Sequence, residues 1–160
     1  MLLNSMKHVK FIVQSKNAKQ TEQLGERLAK NASGGEVIEL ISDLGGGKTT
    51  FTRGFVRGMQ SNDVVSSPTF TISNHYQGNK YKVYHFDFYR LQDPGVVANE
   101  LKEVTEEPNA VVIIEWADVV QDVLPEDTIK INFEPSGDTN RTLIILAPAN
   151  KLYLVEGLLS

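Results

Sequence analysis

The chain contains no cysteine, which excludes disulfides and thiolate metal sites and suits a reducing cytoplasm. No apolar run approaches the ~20 residues that a membrane-spanning helix needs, so no segment is expected to enter a bilayer. The start, Met1-Leu2-Leu3-Asn4-Ser5-Met6-Lys7, lacks the apolar centre of a secretory signal. Basic charge is in short supply as well. Sixteen Lys and Arg against 20 Asp and Glu leave a formal net charge of −4, which argues against sequence-independent grip on nucleic acid. Repeats, low-complexity stretches and linkers are not seen either. At 41% hydrophobic, the 160 residues suffice for a single domain, 1–160, around one sizeable core.

Against these absences stands one glycine-rich stretch, Ser42-Asp43-Leu44-Gly45-Gly46-Gly47-Lys48-Thr49. Before it runs Val37-Ile38-Glu39-Leu40-Ile41, with the composition of a buried strand, and after it comes a segment with apolar residues at 51, 55, 56 and 59, a helical spacing. Strand, glycine turn, Lys-Thr and helix form the context of a phosphate-binding loop. Glycines let successive N–H groups turn inward around an anion, and the start of the helix points its positive end at the same spot. Gly45, Gly46, Gly47, Lys48, Thr49 and Thr50 form the core beside the phosphates. Lys48 would reach the β- and γ-phosphates of ATP, and the Thr49 hydroxyl would ligate Mg²⁺. The first glycine of the G-x-x-x-x-G-K-[ST] spacing is Ser42 here. The plain alternative is a surface turn with an incidental Lys-Thr, and the flanking strand and helix weigh against it.

In chain order, residues 9–14 read as a strand, and Asn17 with Gln20 as a capping box before an amphipathic helix over 21–30, ended near Gly34-Gly35. The loop helix spans about 49–59. Residues 69–76 and 81–87 read as a hairpin turning at Gly78-Asn79, with Val83 and His85 on one face and Tyr84 and Phe86 on the other. Pro94 opens a helix to about Glu106 as its first residue. Val111-Val112-Ile113-Ile114-Glu115-Trp116 reads as a strand covered on both faces. A short helix or loop over 118–124, two strands at 128–133 and 142–146, and a helix over 151–159 close the chain. The fold class is α/β: a P-loop NTPase-like domain with a mixed sheet, parallel at its centre, and flanking helices.

Ligands of open α/β sheets lie beyond the carboxyl ends of the strands, where two acids fall. Glu115, after Val-Val-Ile-Ile, has the Walker B arrangement and would hold Mg²⁺ directly or through water. Asp87 would polarise the attacking water or complete the metal shell. Trp116, the single tryptophan, either fills the core or walls the nucleotide. Thr69, after the Pro68 turn, is a candidate switch residue reaching the γ-phosphate. His85 reads as sheet packing and Arg90 as a structural ion-pair partner. The turn from Ser15 to Ala18 is the candidate for adenine contacts.

Four motifs in this order carry a resemblance: D-L-G-G-G-K-T-T-F-T-R-G (43–54), S-P-T-F (67–70), Y-H-F-D-F-Y-R-L (84–91) followed by Asp93-Pro94, and I-I-E-W (113–116). Over roughly residues 10–130 the chain resembles the bacterial TsaE (YjeE) family, the small P-loop ATPases of tRNA threonylcarbamoyladenosine biosynthesis. The resemblance implies ATP and Mg²⁺ binding. It also implies a weak ATPase raised by a TsaB–TsaD pair, which places threonylcarbamoyl on adenosine 37 of tRNA, so that tRNA is met only indirectly. By the same resemblance Lys48 and Thr49 serve phosphates and magnesium, and Glu115 is the second magnesium ligand. Asp87 is then the catalytic acid, Trp116 the residue beside Glu115, and Ser67-Pro68-Thr69 a switch-like segment. Two features depart from the family: Ser42 replaces a glycine, and Gly95 to Leu101 lacks the usual Glu-rich pattern ending in glycine.

A small-molecule kinase is the runner-up, but no Arg-rich lid follows the loop helix. A GTPase would carry N-K-x-D, and Asn79-Lys80-Tyr81-Lys82 ends in lysine. A nucleotide-gated binding module without catalysis is compatible with the same loop. In a competition binding assay ATP is expected to displace a bound adenine nucleotide at lower concentration than GTP; equal competition would contradict the ATP assignment.

Overall fold

The computed structural model describes residues 7–43, 45–68 and 72–159. Its strands are β1 (His8–Ser15), β2 (Val37–Ile41), β3 (Ser73–Gln77), β4 (Lys82–Asp87), β5 (Ala110–Glu115), β6 (Ile129–Pro135) and β7 (Arg141–Pro148). Its α-helices are α1 (Ala18–Lys30), α2 (Lys48–Gly58), α3 (Gly95–Thr105) and α4 (Leu152–Glu156). Short 3-10 helices span Ala117–Val123 and Ala149–Lys151.

One sheet joins all seven strands in the order β1-β7-β6-β2-β5-β4-β3. β6, β2, β5 and β4 run parallel, and the remaining pairs, β1 with β7, β6 with β7 and β3 with β4, are antiparallel. The mixed sheet with a parallel centre expected from the sequence is the one observed. Every residue of β5 is buried, as an apolar run covered on both faces should be. One core joins α1, α2 and α4 to the face carrying Ile38, Leu40, Val83 and Ile113. The other joins α3 and the first 3-10 helix to the face carrying Val37, Phe86, Val112 and Ile114.

Local chemistry explains where the ends depart from expectation. α1 starts at Ala18, earlier than the 21–30 stretch, because Asn17 Oδ1 accepts from Gln20 N at 2.9 Å. The return bond of the expected capping box closes one residue earlier, with Lys16 N donating to Gln20 Oε1 at 2.8 Å. α1 stops at Lys30, where the sequence places its end ahead of Gly34-Gly35. Pro94 is the cap of α3 rather than its first residue, and Asp93 Oδ1 accepts from Gly95 N at 3.1 Å. The hairpin turns at Gly78 as expected, with Gly78 N donating to Tyr81 O at 3.0 Å; its first arm is β3 among the described residues, and 69–71 of the expected arm lie outside them. The closing helix is shorter than 151–159: a 3-10 turn takes Lys151, and the helix ends at Glu156 with Gly157 as its cap.

α1 and α2 approach so closely that side chains are excluded at the crossing. A Cβ at Gly54 would stand 1.8 Å from Glu22 O, and one at Gly25 would stand 2.2 Å from Phe51 O. This contact holds the start of α2, and with it the glycine turn, against the sheet. Gly54→Ala is expected to destabilise the protein by about 1–3 kcal/mol, because backbone rather than a flexible side chain must move. A thermal melt reads this, and an unchanged midpoint would contradict the close approach.

Candidate functional site

Strand register brings the expected site together before any side chain is considered. Leu40 of β2 pairs with Glu115 of β5, and Glu115 pairs with Asp87 of β4. The chain leaving β2 toward the glycine turn therefore lies beside both acids. Gly45 and Gly47 have φ of 77° and 101°, a region that residues with side chains rarely adopt. Gly47 is also the N-cap of α2 and provides no side-chain cap, leaving the positive end of the helix to the cavity that Lys48, Thr49 and Thr50 line. Ser42 fits where a glycine is usual because Gly46 has no side chain. A Cβ at 46 would lie 2.2 Å from Ser42 Oγ, which donates to Asp43 O at 2.8 Å.

Lys48 is 6% exposed. Its Nζ donates to Ser42 O at 3.1 Å, lies 3.9 Å from Glu115 Oε1 and sits 4.2 Å above the Trp116 ring. Burial pushes its ammonium pKa down, while Glu115, Asp87 and Asp43 pull it back up. The Trp116 ring meets Tyr89 at 4.9 Å between centroids, and the Arg90 guanidinium lies 5.0 Å over Tyr89. Two cations thus bracket an aromatic pair.

Asp87 is half-buried. Its Oδ1 accepts from Tyr89 N at 2.9 Å and its Oδ2 from Ser67 Oγ at 3.4 Å. Burial lifts its carboxyl above the usual range and the Glu115 charge adds to the lift, with the Tyr89 N–H opposing. Glu115 is 2% exposed, and its Oε2 accepts from His85 Nε2 at 2.6 Å.

A cavity of about 720 Å³ is lined by Gly45, Gly46, Gly47, Lys48, Thr49 and Thr50. Asp87, Glu115 and Trp116 line the same cavity, so the structure brings these expected residues into one place. Thr69 falls outside the described residues, but Ser67 and Pro68 just before it line the cavity. Four residues other than glycine have positive φ among the described residues, and three of them, Ile72, Arg90 and Trp116, line this cavity. Such conformations cost of order 1–3 kcal/mol each and gather at functional sites.

The structure also adds residues. Arg90, expected in an ion pair, has none among the described residues and stands on the cavity wall. His85, expected as packing, bonds the buried acid. Ala18, at the end of the turn put forward for adenine, lines the far end of the cavity with Thr21. Arg141, which starts β7, donates from Nη2 to Gly45 O at 3.3 Å. No sequence signal linked Arg141 to a turn so distant along the chain; antiparallel pairing of β7 with β6 delivers it.

The oxygen donors available to a divalent ion are the Thr49 hydroxyl and the Glu115 carboxylate, with Asp87 across the strand. Such hard donors suit magnesium. Among the described residues no group of three or more His, Cys, Asp or Glu gathers as a metal site.

Residues 15–143 match the family model described as threonylcarbamoyl adenosine biosynthesis protein TsaE. A Bacillus subtilis protein named tRNA threonylcarbamoyladenosine biosynthesis protein TsaE is 34% identical over 146 residues, 91% of this chain and 90% of that protein. A Haemophilus influenzae protein of the same name is 36% identical over 116 residues, 71% of this chain and 72% of the other. The crystal structure of Bacillus subtilis YdiB superposes with a TM-score of 0.76 at 29% identity, covering 96% of this chain and 97% of that one.

A carboxyl lifted in the folded state favours the protonated form, so ionising Asp87 costs stability as pH rises through its folded value. Asp87→Asn should therefore raise the melting temperature of the nucleotide-free protein near pH ~7.5, and the gain should shrink toward pH ~4 as the native carboxyl takes up its own proton. A lowered midpoint at the higher pH would contradict the burial argument.

Proposed function

The chain belongs to the TsaE family, and on that premise we propose that it binds ATP with Mg²⁺ and hydrolyses it slowly in service of tRNA threonylcarbamoyladenosine synthesis. The observation that carries this reading is the position of Lys48, buried between the glycine turn and Glu115 with Asp87 across the strand. The N–H groups of Gly45 to Thr49 would cradle the β-phosphate, and the ammonium of Lys48 would leave Trp116 and Ser42 O to meet the β- and γ-phosphates. A magnesium ion held by Thr49 and Glu115 would neutralise charge building on the transferred phosphoryl group. Asp87, raised by burial and facing the same cavity, would orient the attacking water and accept its proton. Trp116 and Tyr89 wall that volume, and Ser67 is bonded to Asp87 there.

The sequence carries no Arg-rich cluster after the loop helix, which favours hydrolysis over transfer to a metabolite. The ATPase is proposed to drive or reset a TsaB–TsaD-like heterodimer in the cytoplasm, which handles the tRNA itself. A net charge of −4 is consistent with that division of labour. Among the described residues no helix is long and apolar enough to cross a membrane.

Lys48→Ala is expected to weaken ATP binding by about tenfold or more in calorimetry, the cost of removing a charge-assisted contact. Glu115→Ala is expected to bind nucleotide yet lose turnover. Unchanged affinity in the first variant, or normal turnover in the second, would overturn these assignments. Capture of a heterodimeric tRNA-modifying partner, compared with and without ATP, tests the assembly.

A further inference from the structure

His85 occupies a core position, fully buried and level with Ile113 of β5. Its chemistry is not that of a core residue. A carboxylate oxygen can only accept, so the 2.6 Å contact means that Nε2 carries a hydrogen and donates it to Glu115 Oε2. Nδ1 is buried and has no hydrogen-bond partner among the described residues. Leaving a buried polar atom unpaired forfeits the hydrogen bond it would make to water in the unfolded chain. The neighbouring inward positions are Val83, Val111 and Ile113, so an apolar side chain would serve packing without that cost. What an apolar residue lacks is a donor aimed at one oxygen of Glu115.

That donor answers a specific difficulty. The last torsion of a glutamate is broad and nearly two-fold, so the backbone does not decide which way its carboxylate faces. Asp87, directly across the strand, repels it. With Oε2 held by His85, the other oxygen, Oε1, is the one 3.9 Å from Lys48 Nζ. We propose that His85 is a positioning residue, whose bond to Oε2 sets the Glu115 carboxylate so that Oε1 is presented to Lys48 and to the divalent ion of a bound nucleotide. This rests on the ATP reading above. Partners that orient a ligating side chain in this way typically affect metal affinity or activity 10–100-fold.

Three variants separate positioning from filling space. His85→Gln keeps an N–H at the reach of Nε2, His85→Leu keeps bulk without a donor, and Glu115→Gln removes the group being oriented. Melting temperatures are recorded for each, and Trp116 fluorescence reads ADP binding in EDTA and then the Mg²⁺ concentration for half-saturation. In the variants that change only His85, ADP affinity in EDTA should stay within about twofold, because His85 touches no phosphate. In His85→Leu the Mg²⁺ half-saturation should rise, and kcat fall, by about 10–100-fold, with His85→Gln recovering most of both. In the Glu115→Gln background, adding His85→Leu should change neither quantity further. A folded His85→Leu with native Mg²⁺ response and kcat would overturn the proposal, as would equal losses in the Gln and Leu variants or losses that add in full. Should the leucine variant not fold, His85→Asn, whose N–H is too short to reach Oε2, takes its place under the same criteria. A native protein that hydrolyses no ATP would defeat the proposed function instead, and the Mg²⁺ response would still decide His85.

Discussion

A buried ammonium requires a counter-charge, and the arrangement of the site follows from meeting that requirement for Lys48. Its surroundings push its pKa down by burial, and Glu115, Asp87 and Asp43 oppose the shift. A buried charge pair is stabilised only when the remaining lone pairs and protons also find partners. Ser42 O accepts from Nζ, the Trp116 ring lies beneath it, and His85 supplies the donor for the second oxygen of Glu115. Remove any one of these and a neighbour is left charged or polar in a dry place.

The parallel pairing of β2 with β5 makes this geometry possible. It sets Leu40, two residues before the glycine turn, opposite Glu115, while β4 on the other side of β5 sets Asp87 opposite the same residue. Neither acid could be reached from a turn on a separate sheet edge. The excluded Cβ positions at Gly25 and Gly54 let α1 and α2 close over this end of the sheet and keep α2 aimed at the cavity. Rigid elements thus hold the loop, and three of the four non-glycine residues with positive φ among the described residues, Ile72, Arg90 and Trp116, line the cavity.

Two of those residues connect the aromatic pair to both cations. Trp116, the residue after β5, is left-handed and has its ring under Lys48, and Arg90 is left-handed one residue after Tyr89. Lys48 and Arg90 both rest on π-faces, contacts worth roughly 0.5–2 kcal/mol each.

The glycine turn, its flanking strand and helix, the apolar β5 run and the acids at two strand ends were all legible in the chain, because each is a local pattern whose physics acts over a few residues. So was the mixed sheet, since uninterrupted and alternating apolar runs differ in how many faces they bury. Contacts that join distant segments were not. The bond between His85 and Glu115, the stacking of Arg90 on Tyr89 in place of an ion pair, and the reach of Arg141 to Gly45 depend on register and on which strands become neighbours. Alternation places His85 on a face but says nothing of what stands 2.6 Å away on the next strand. Local sequence chose the residue types and the elements that carry them; the pairing of β2, β5 and β4 chose which of those residues share a charge, because electrostatic partners are selected by distance in space and not along the chain.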